Sequence, residues 1–356
     1  MQQQLYLHIG DCKTGSTIIQ SMLARQDCVP QGLRLFYPGA PPHGALARSL
    51  GDRPDLYPQR WNRAARRLSQ TDWDVAVLST ELFEFIQPAA VLKALNNHLP
   101  QYSNSVKVIV YVRPHAGRVM SQFAENLKLG HETGSLETFV GRFLKAGRLR
   151  YAERLNRWKT IFGDRLIVRP FVRDRLIAGD VRQDFLPLIL GDTPYTLADS
   201  GQDNNASLLL PDLALMRLLQ RRFAQNSGVP MDSRVAFGKH FGKLLRDVAP
   251  VTPAEKMHLP RPLYDLLLKD CMADAEIMDA TWFGGPCFVP ELIKAGQTVI
   301  DSPQSLEAQD YFGPDTLRLM QAWADLIVRQ MTDEPREFSA RIRQPGLSQK
   351  TAIPRT

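Results

Sequence analysis

The sequence predicts an α/β protein: a P-loop-like doubly wound parallel sheet flanked by helices, with a mostly helical C-terminal portion. Three observations carry this. Strand-like apolar runs alternate with helix-period segments through about the first 200 residues. The first run enters a glycine-bearing loop that opens directly into a helical segment, and no strand pattern of comparable strength returns after Gly191.

Taken in order, Leu5–Ile9 reads as a buried strand, Gly10–Gly15 as a turn, and Ser16–Ala24 as a helix with Ile18, Ile19, Met22 and Leu23 at helical spacing. Residues 30–58 are rich in Pro, Gly and Arg and weakly periodic, which predicts an irregular excursion with one short helix. A helix resumes at "WNRAARRL". The second strand is Asp74–Thr80, and the third, Val106–Val112, is a near-continuous apolar run suited to burial on both faces. Pro114 suits the first turn of a helix that continues to Gly130. After a helix over Tyr151–Phe162 comes the fourth strand, "RLIVRPF". Beyond it "NASLLLPDLALMRLLQRRF" is the clearest helix. The expected organisation is a nucleotide-binding core over 1–200, a mostly helical acceptor-side part over 201–340, and a flexible tail over 341–356.

Composition sets the outer bounds. With 356 residues, 44% hydrophobic and 23% charged, the chain has ample material for a buried core and no disorder-prone composition. The net charge of +7 favours anionic ligands. The start "MQQQLYLHIG" has no leader-like pattern and no apolar stretch is long enough to span a bilayer, so a cytoplasmic location is expected. Cys12, Cys28, Cys271 and Cys287 are scattered, without the spacing of a zinc site or a disulfide framework. Cys12 reads as a small buried filler.

Three constellations carry chemistry, each at the carboxyl end of a strand, where open α/β sheets bind ligands. In the first loop, Gly10 and Gly15 match a nucleotide triphosphatase loop, G-x-x-x-x-G-K-[ST], but Ser16 occupies the lysine slot and the lysine sits inside the loop as Lys13. Backbone N–H groups and the positive end of the following helix favour an anion, and Lys13, Ser16 and Thr17 add a charge and two hydroxyls. A tight structural turn with a solvated lysine is the alternative. Second, Arg113 ends the third strand with Ser121 about two turns into the next helix, a planar fork and a hydroxyl that suit a phosphate. A helical serine also commonly bonds its own backbone. Third, Glu81 follows the second strand, where a carboxylate facing the loop could accept a proton from an attacking hydroxyl; it equally suits a helix start capped by Ser79 or Thr80.

Together these residues resemble the sulfotransferases that use 3′-phosphoadenosine 5′-phosphosulfate (PAPS), in particular bacterial carbohydrate-type members. "HIGDCKTGST" is similar to the family's 5′-phosphosulfate loop, matching Lys13, Thr14, Gly15, Ser16 and Thr17. "VIVYVRPHAGRVMSQ" is similar to its 3′-phosphate motif at Arg113 and Ser121, and "LSTEL" to the segment carrying a glutamate base, here Glu81. The stretch "FGDRLIVRPFVRDRLIAGDVRQDFLPLILG" and, more weakly, "NNASL" extend the likeness. The glycine- and lysine-rich segment that cytosolic small-molecule members use near their end is not evident.

The resemblance implies in-line transfer of a sulfuryl group from PAPS to a hydroxyl, or an amine, of a carbohydrate or glycolipid, leaving adenosine 3′,5′-bisphosphate (PAP). Lys13 would stabilise the leaving oxygen, Ser16 and Thr17 would hold the 5′-phosphate, Arg113 and Ser121 the 3′-phosphate, and Glu81 would be the base, with no metal required. His115 is expected at the surface or at a helix start, and His8 in the core. The arginine-rich stretches Arg60–Arg67, Arg142–Lys159 and Arg169–Arg175 are read mostly as solvated helix faces, with an acidic glycan acceptor left open; aromatic residues are too sparse among them for nucleic acid. The alternatives are an ATP-dependent phosphotransferase and a catalytically inactive nucleotide-binding protein of the same fold.

Overall fold

The protein is described from a computed structural model, which covers residues 3–40, 43–198, 207–248 and 253–342. Most of the expected tail, and the Asn204–Ala206 part of "NNASL", lie outside these described residues.

Five strands form one parallel sheet: β1 (Gln4–His8), β3 (Leu35–Phe36), β4 (Val75–Ser79), β5 (Lys107–Val112) and β6 (Leu166–Pro170), in the order β3-β4-β1-β5-β6. A second, antiparallel pair joins β2 (Cys28–Pro30) to β7 (Tyr195–Leu197). The helices are α1 (Ser16–Arg25), α2 (Gly44–Ser49), α3 (Gln59–Gln70), α4 (Pro88–His98), α5 (Pro100–Ser103), α6 (His115–Leu129), α7 (Leu136–Lys145), α8 (Tyr151–Phe162), α9 (Val181–Leu190), α10 (Leu210–Ala224), α11 (Met231–Asp247), α12 (Arg261–Met278), α13 (Phe288–Ala295), α14 (Pro314–Asp333) and α15 (Pro335–Ile342).

The four long strands fall where apolar runs place them. β3 does not, because two residues are too few to carry a periodic signal; it forms the sheet edge inside the stretch read as irregular, paired at Leu35 with Val75. The short pair β2–β7 escapes the pattern for the same reason.

The chain divides into two compact units. The first comprises Met1–Arg118, Leu144–Asp203 and Tyr264–Gln297, and the second Val119–Phe143, Asn204–Leu263 and Thr298–Thr356. In the first, one face of the sheet, with Tyr6, Val75, Val77, Ile109 and Tyr111, is covered by Ile19, Met22 and Leu23 of α1 and by Phe185, Leu186 and Ile189 of α9. Burying side chains of this size stabilises by roughly 1.5–3 kcal/mol each. In the second, Met216, Leu219 and Phe223 of α10 pack with Phe237, Ala324 and Met331. The sheet belongs wholly to the first unit, so the strand ends that matter for function can be described within it.

Candidate functional site

β1 is the centre of the sheet, with β4 on one side and β5 on the other. Its register sets His8 beside Ser79 of β4 and beside Ile109 of β5. Bonding continues past the strand ends: Thr80 N–H donates to the His8 carbonyl at 3.1 Å, and Asp11 N–H to the Tyr111 carbonyl at 3.1 Å. The loop after β1, Glu81 after β4 and Arg113 after β5 therefore converge where the strand order reverses, the position at which open α/β sheets leave a crevice.

The loop itself is held in an uncommon backbone conformation. Gly10, Lys13 and Gly15 have φ of 60°, 68° and 78°. Lysine gains nothing from the left-handed region, which costs about 1–2 kcal/mol for a residue with a Cβ. Loop hydroxyls hold this shape: the buried Thr14 Oγ1 donates to the Asp11 carbonyl at 2.6 Å and accepts from Asp11 N–H at 3.3 Å, while Ser16 Oγ donates to the same carbonyl at 3.3 Å. Thr17 is exposed at the first turn of α1, and no side chain caps that helix. Its leading N–H groups carry the positive end of the dipole. Of the hydroxyls expected to face a ligand, those of Thr14 and Ser16 thus also build the loop.

Arg113 reaches this loop, donating from Nη1 to the Lys13 carbonyl at 3.3 Å. Its guanidinium lies 5.9 Å from the Phe171 ring centroid, and Gly117 leaves it room, since an added Cβ there would sit 3.2 Å from Arg113 Nε. No carboxylate among the described residues pairs with it, and burial, followed by the neighbouring Arg118 charge, lowers its pKa while Tyr151 opposes. A half-buried cation with no carboxylate partner beside this loop can accept an anion. Ser121 is carried by α6 beyond Arg118 and belongs to the second unit. The residues gathered at the loop within the first unit are Gly10–Thr17, Glu81 and Arg113.

Glu81 abuts the loop from the other side. A Cβ on Gly10 would fall 2.8 Å from Glu81 Cα, so only glycine allows this approach. Glu81 Oε2 accepts from Gln20 Nε2 at 3.1 Å, and the same amide nitrogen donates to Ser79 Oγ at 3.2 Å. Ser79 Oγ lies 2.7 Å from Nδ1 of His8, a core histidine whose burial lowers its pKa to about 3. Thr80 Oγ1 accepts from Leu82 N–H at 3.2 Å, capping the 3₁₀ turn that Glu81 opens.

Behind the loop stands a buried charge cluster that the sequence reading missed. Asp11 accepts a two-pronged bond from Arg154, at 2.7 Å on each oxygen, and Glu84 accepts from Arg118 Nη2 at 2.9 and 3.0 Å. Glu84 Oε2 also accepts from Cys12 N–H at 3.0 Å, tying the cluster to the loop backbone. Burial works against ionisation of Glu84, but Arg118, Arg154 and that N–H outweigh it and hold the carboxyl below its ordinary range. Arg154 lies inside a stretch read as a solvated face, yet its side chain is only 15% exposed. Arg169 departs likewise, bonding the buried Asp184 at 2.5 and 3.1 Å. The available signal was Asp11, an acid in a glycine-bearing loop directly after a buried strand, which when buried demands a cation nearby. His115 is at a helix start but not at the surface: it is fully buried, with Nε2 2.9 Å from Asp274 Oδ2. Among the described residues no group of three or more His, Cys, Asp or Glu side chains is placed to hold a metal ion, and no helix is long and apolar enough to cross a membrane.

No protein-family model matches the chain, and no curated protein matches it. Among solved structures it is similar to a sulfotransferase from Alicyclobacillus acidocaldarius, at 12% identity and a TM-score of 0.42 over 80% of this chain and 97% of that one. Similarity of that size establishes no shared family.

Proposed function

We propose that this protein is a PAPS-dependent sulfotransferase acting on a hydroxyl, or less readily an amine, of a carbohydrate or glycolipid. The observation that carries the reading is the placement of Arg113, half-buried, without a carboxylate partner and bonded to the Lys13 carbonyl of a left-handed loop that Glu81 abuts. The motif likeness over Lys13–Thr17, Glu81, Arg113 and Ser121 supplies the identity of the anion.

The residues present fit such a donor. The N–H groups at the start of α1, with the hydroxyls of Ser16 and Thr17, suit the 5′-phosphate, and Gly10 and Gly15 let a ligand approach the backbone closely. Arg113 is assigned to the 3′-phosphate, the group that distinguishes this donor from ATP. When bound, the donor supplies a sulfuryl group whose departure leaves negative charge on a phosphate oxygen. Lys13 is assigned to stabilise that charge; preorganised charge of this kind is worth roughly 10²–10³ in rate. Glu81, oriented by Gln20, takes the proton from the acceptor hydroxyl as its oxygen bonds to sulfur.

Incubation with donor carrying labelled sulfate and a panel of neutral and acidic glycans and glycolipids tests the reading. Label transferred to an acceptor is the expected result, with Glu81→Gln lowering kcat by roughly 10²–10⁴. A fully active Glu81→Gln protein removes the glutamate from the base role.

A further inference from the structure

A cavity of about 300 Å³ in the first unit is lined by Gly39, His43, Arg60, Arg63, Arg67 and Leu78. Arg60, Arg63 and Arg67 recur at the i, i+3, i+7 positions of α3, whose inner face, Trp61, Ala64 and Leu68, is buried in the core. The arginine-rich stretch is therefore more than a solvated face: its cationic stripe bounds a concave space.

No carboxylate among the described residues answers this stripe. Arg34, Arg53, Arg118, Arg154, Arg169, Arg182, Arg217 and Arg222 each have a carboxylate partner within 3.2 Å. Arg60, Arg63 and Arg67 have none among the described residues, and α3 contains no acidic residue at all. Like charges three and four residues apart on a helix repel, so the stripe costs stability and calls for a compensating anion. Arginine forks fit planar carboxylate and tetrahedral sulfate groups alike.

The cavity is also fastened to the end of β4. His43 Nδ1 accepts from Ser79 N–H at 2.9 Å, which leaves the proton on Nε2 to be donated to the Pro38 carbonyl at 2.9 Å. His43 N–H donates to the Ser79 carbonyl at 3.0 Å. Tyr37 stacks on His43 with ring centroids 4.3 Å apart, and its buried hydroxyl has no hydrogen-bond partner among the described residues. Burial raises the pKa of that hydroxyl, and the Glu81 charge raises it further. Burial, the larger effect, and the Arg67 charge both act to lower the pKa of His43, which falls to about 4, so at neutral pH the cavity's positive charge comes from arginine alone.

We infer that this cavity holds an anionic group of the acceptor, a carboxylate or sulfate on a neighbouring sugar, through Arg60, Arg63 and Arg67, so that the acceptor is an acidic oligosaccharide. The inference rests on the sulfotransferase reading for the word acceptor, but the anion site stands on its own geometry. The probes are a fluorescent unsulfated hexuronate-containing hexasaccharide, its carboxyl methyl ester, and a neutral hexasaccharide carrying sulfate esters. Binding by anisotropy is expected for the first or third, weaker by on the order of tenfold or more for the methyl ester than for its acid, and weaker by a similar factor in Arg63→Gln/Arg67→Gln. These two side chains are exposed, and the unliganded Tm of the variant reports that it is folded. Equal binding of acid and ester with no binding of the sulfated probe, absence of binding to any probe, or binding untouched by the double substitution overturns the inference. PAP stabilisation of the wild-type protein is measured alongside. PAP binding without probe binding leaves the sulfotransferase reading standing and removes the anionic acceptor; probe binding without PAP binding leaves an anion site that is not an acceptor site.

Discussion

Two sets of arginines in the first unit differ in one respect. Arg118 and Arg154 are buried against Glu84 and Asp11, with every formal charge answered by another. Arg113, and the stripe Arg60, Arg63 and Arg67, have no carboxylate partners among the described residues. The first set fixes the shape of the loop after β1 from behind; the second faces the spaces beside that loop and beside the end of β4. Arg118 and Arg154 thus build the loop from behind, while Arg113 and the cavity stripe are the arginines assigned to ligands.

The largest effect is expected from breaking the paired set. Glu84→Ala leaves Arg118 buried beside no carboxylate but Asp11's and releases Cys12 N–H; removing one partner of such a pair costs about 3–5 kcal/mol and should appear as a lower denaturation midpoint. An unchanged midpoint would show that the cluster does not hold the loop.

Acid is expected to act through His8, whose folded-state pKa of about 3 lies below its ordinary value of 6.5. Between these values the unfolded chain binds the extra proton, so stability rises with pH across the window and is lost as pH falls from about 6.5 toward 3. His43, lowered to about 4, adds in the same direction. Chemical denaturation at pH 7 and pH 5 measures the slope, and His8→Gln should flatten it.

How much of this was legible in the sequence follows from the range of each interaction. Gly10, Lys13, Gly15, Glu81 and Arg113 could be picked out because each sits next to a strand whose apolar run announces it. Arg154 is 143 residues from Asp11 and Glu84 is 72 from Cys12, and no local pattern records such pairings. His115 looked like a helix-start histidine since nothing near it in the chain foretells Asp274, 159 residues on. The sheet edge β3 was hidden by its length, and the discontinuous make-up of the two units leaves no mark on periodicity.

A smaller effect is expected from the unpaired set. Arg113→Ala should weaken PAP binding by roughly tenfold to a hundredfold, the worth of a charge-assisted bond, with little change in the unliganded midpoint. The smallest belongs to Arg66→Gln: Arg66 is exposed on α3 outside the cavity stripe, so its removal should stay within about 0.5 kcal/mol and leave hexasaccharide binding unaltered.

The central claim is that the loop and Arg113 are arranged for a nucleotide bearing a 3′-phosphate. Thermal shift of the wild-type protein with PAP, beside ATP plus magnesium, tests it most directly, because stabilisation scales with ligand concentration over affinity. Selective stabilisation by PAP, reduced in Arg113→Ala, is the result expected; stabilisation by ATP plus magnesium with none by PAP would contradict the account.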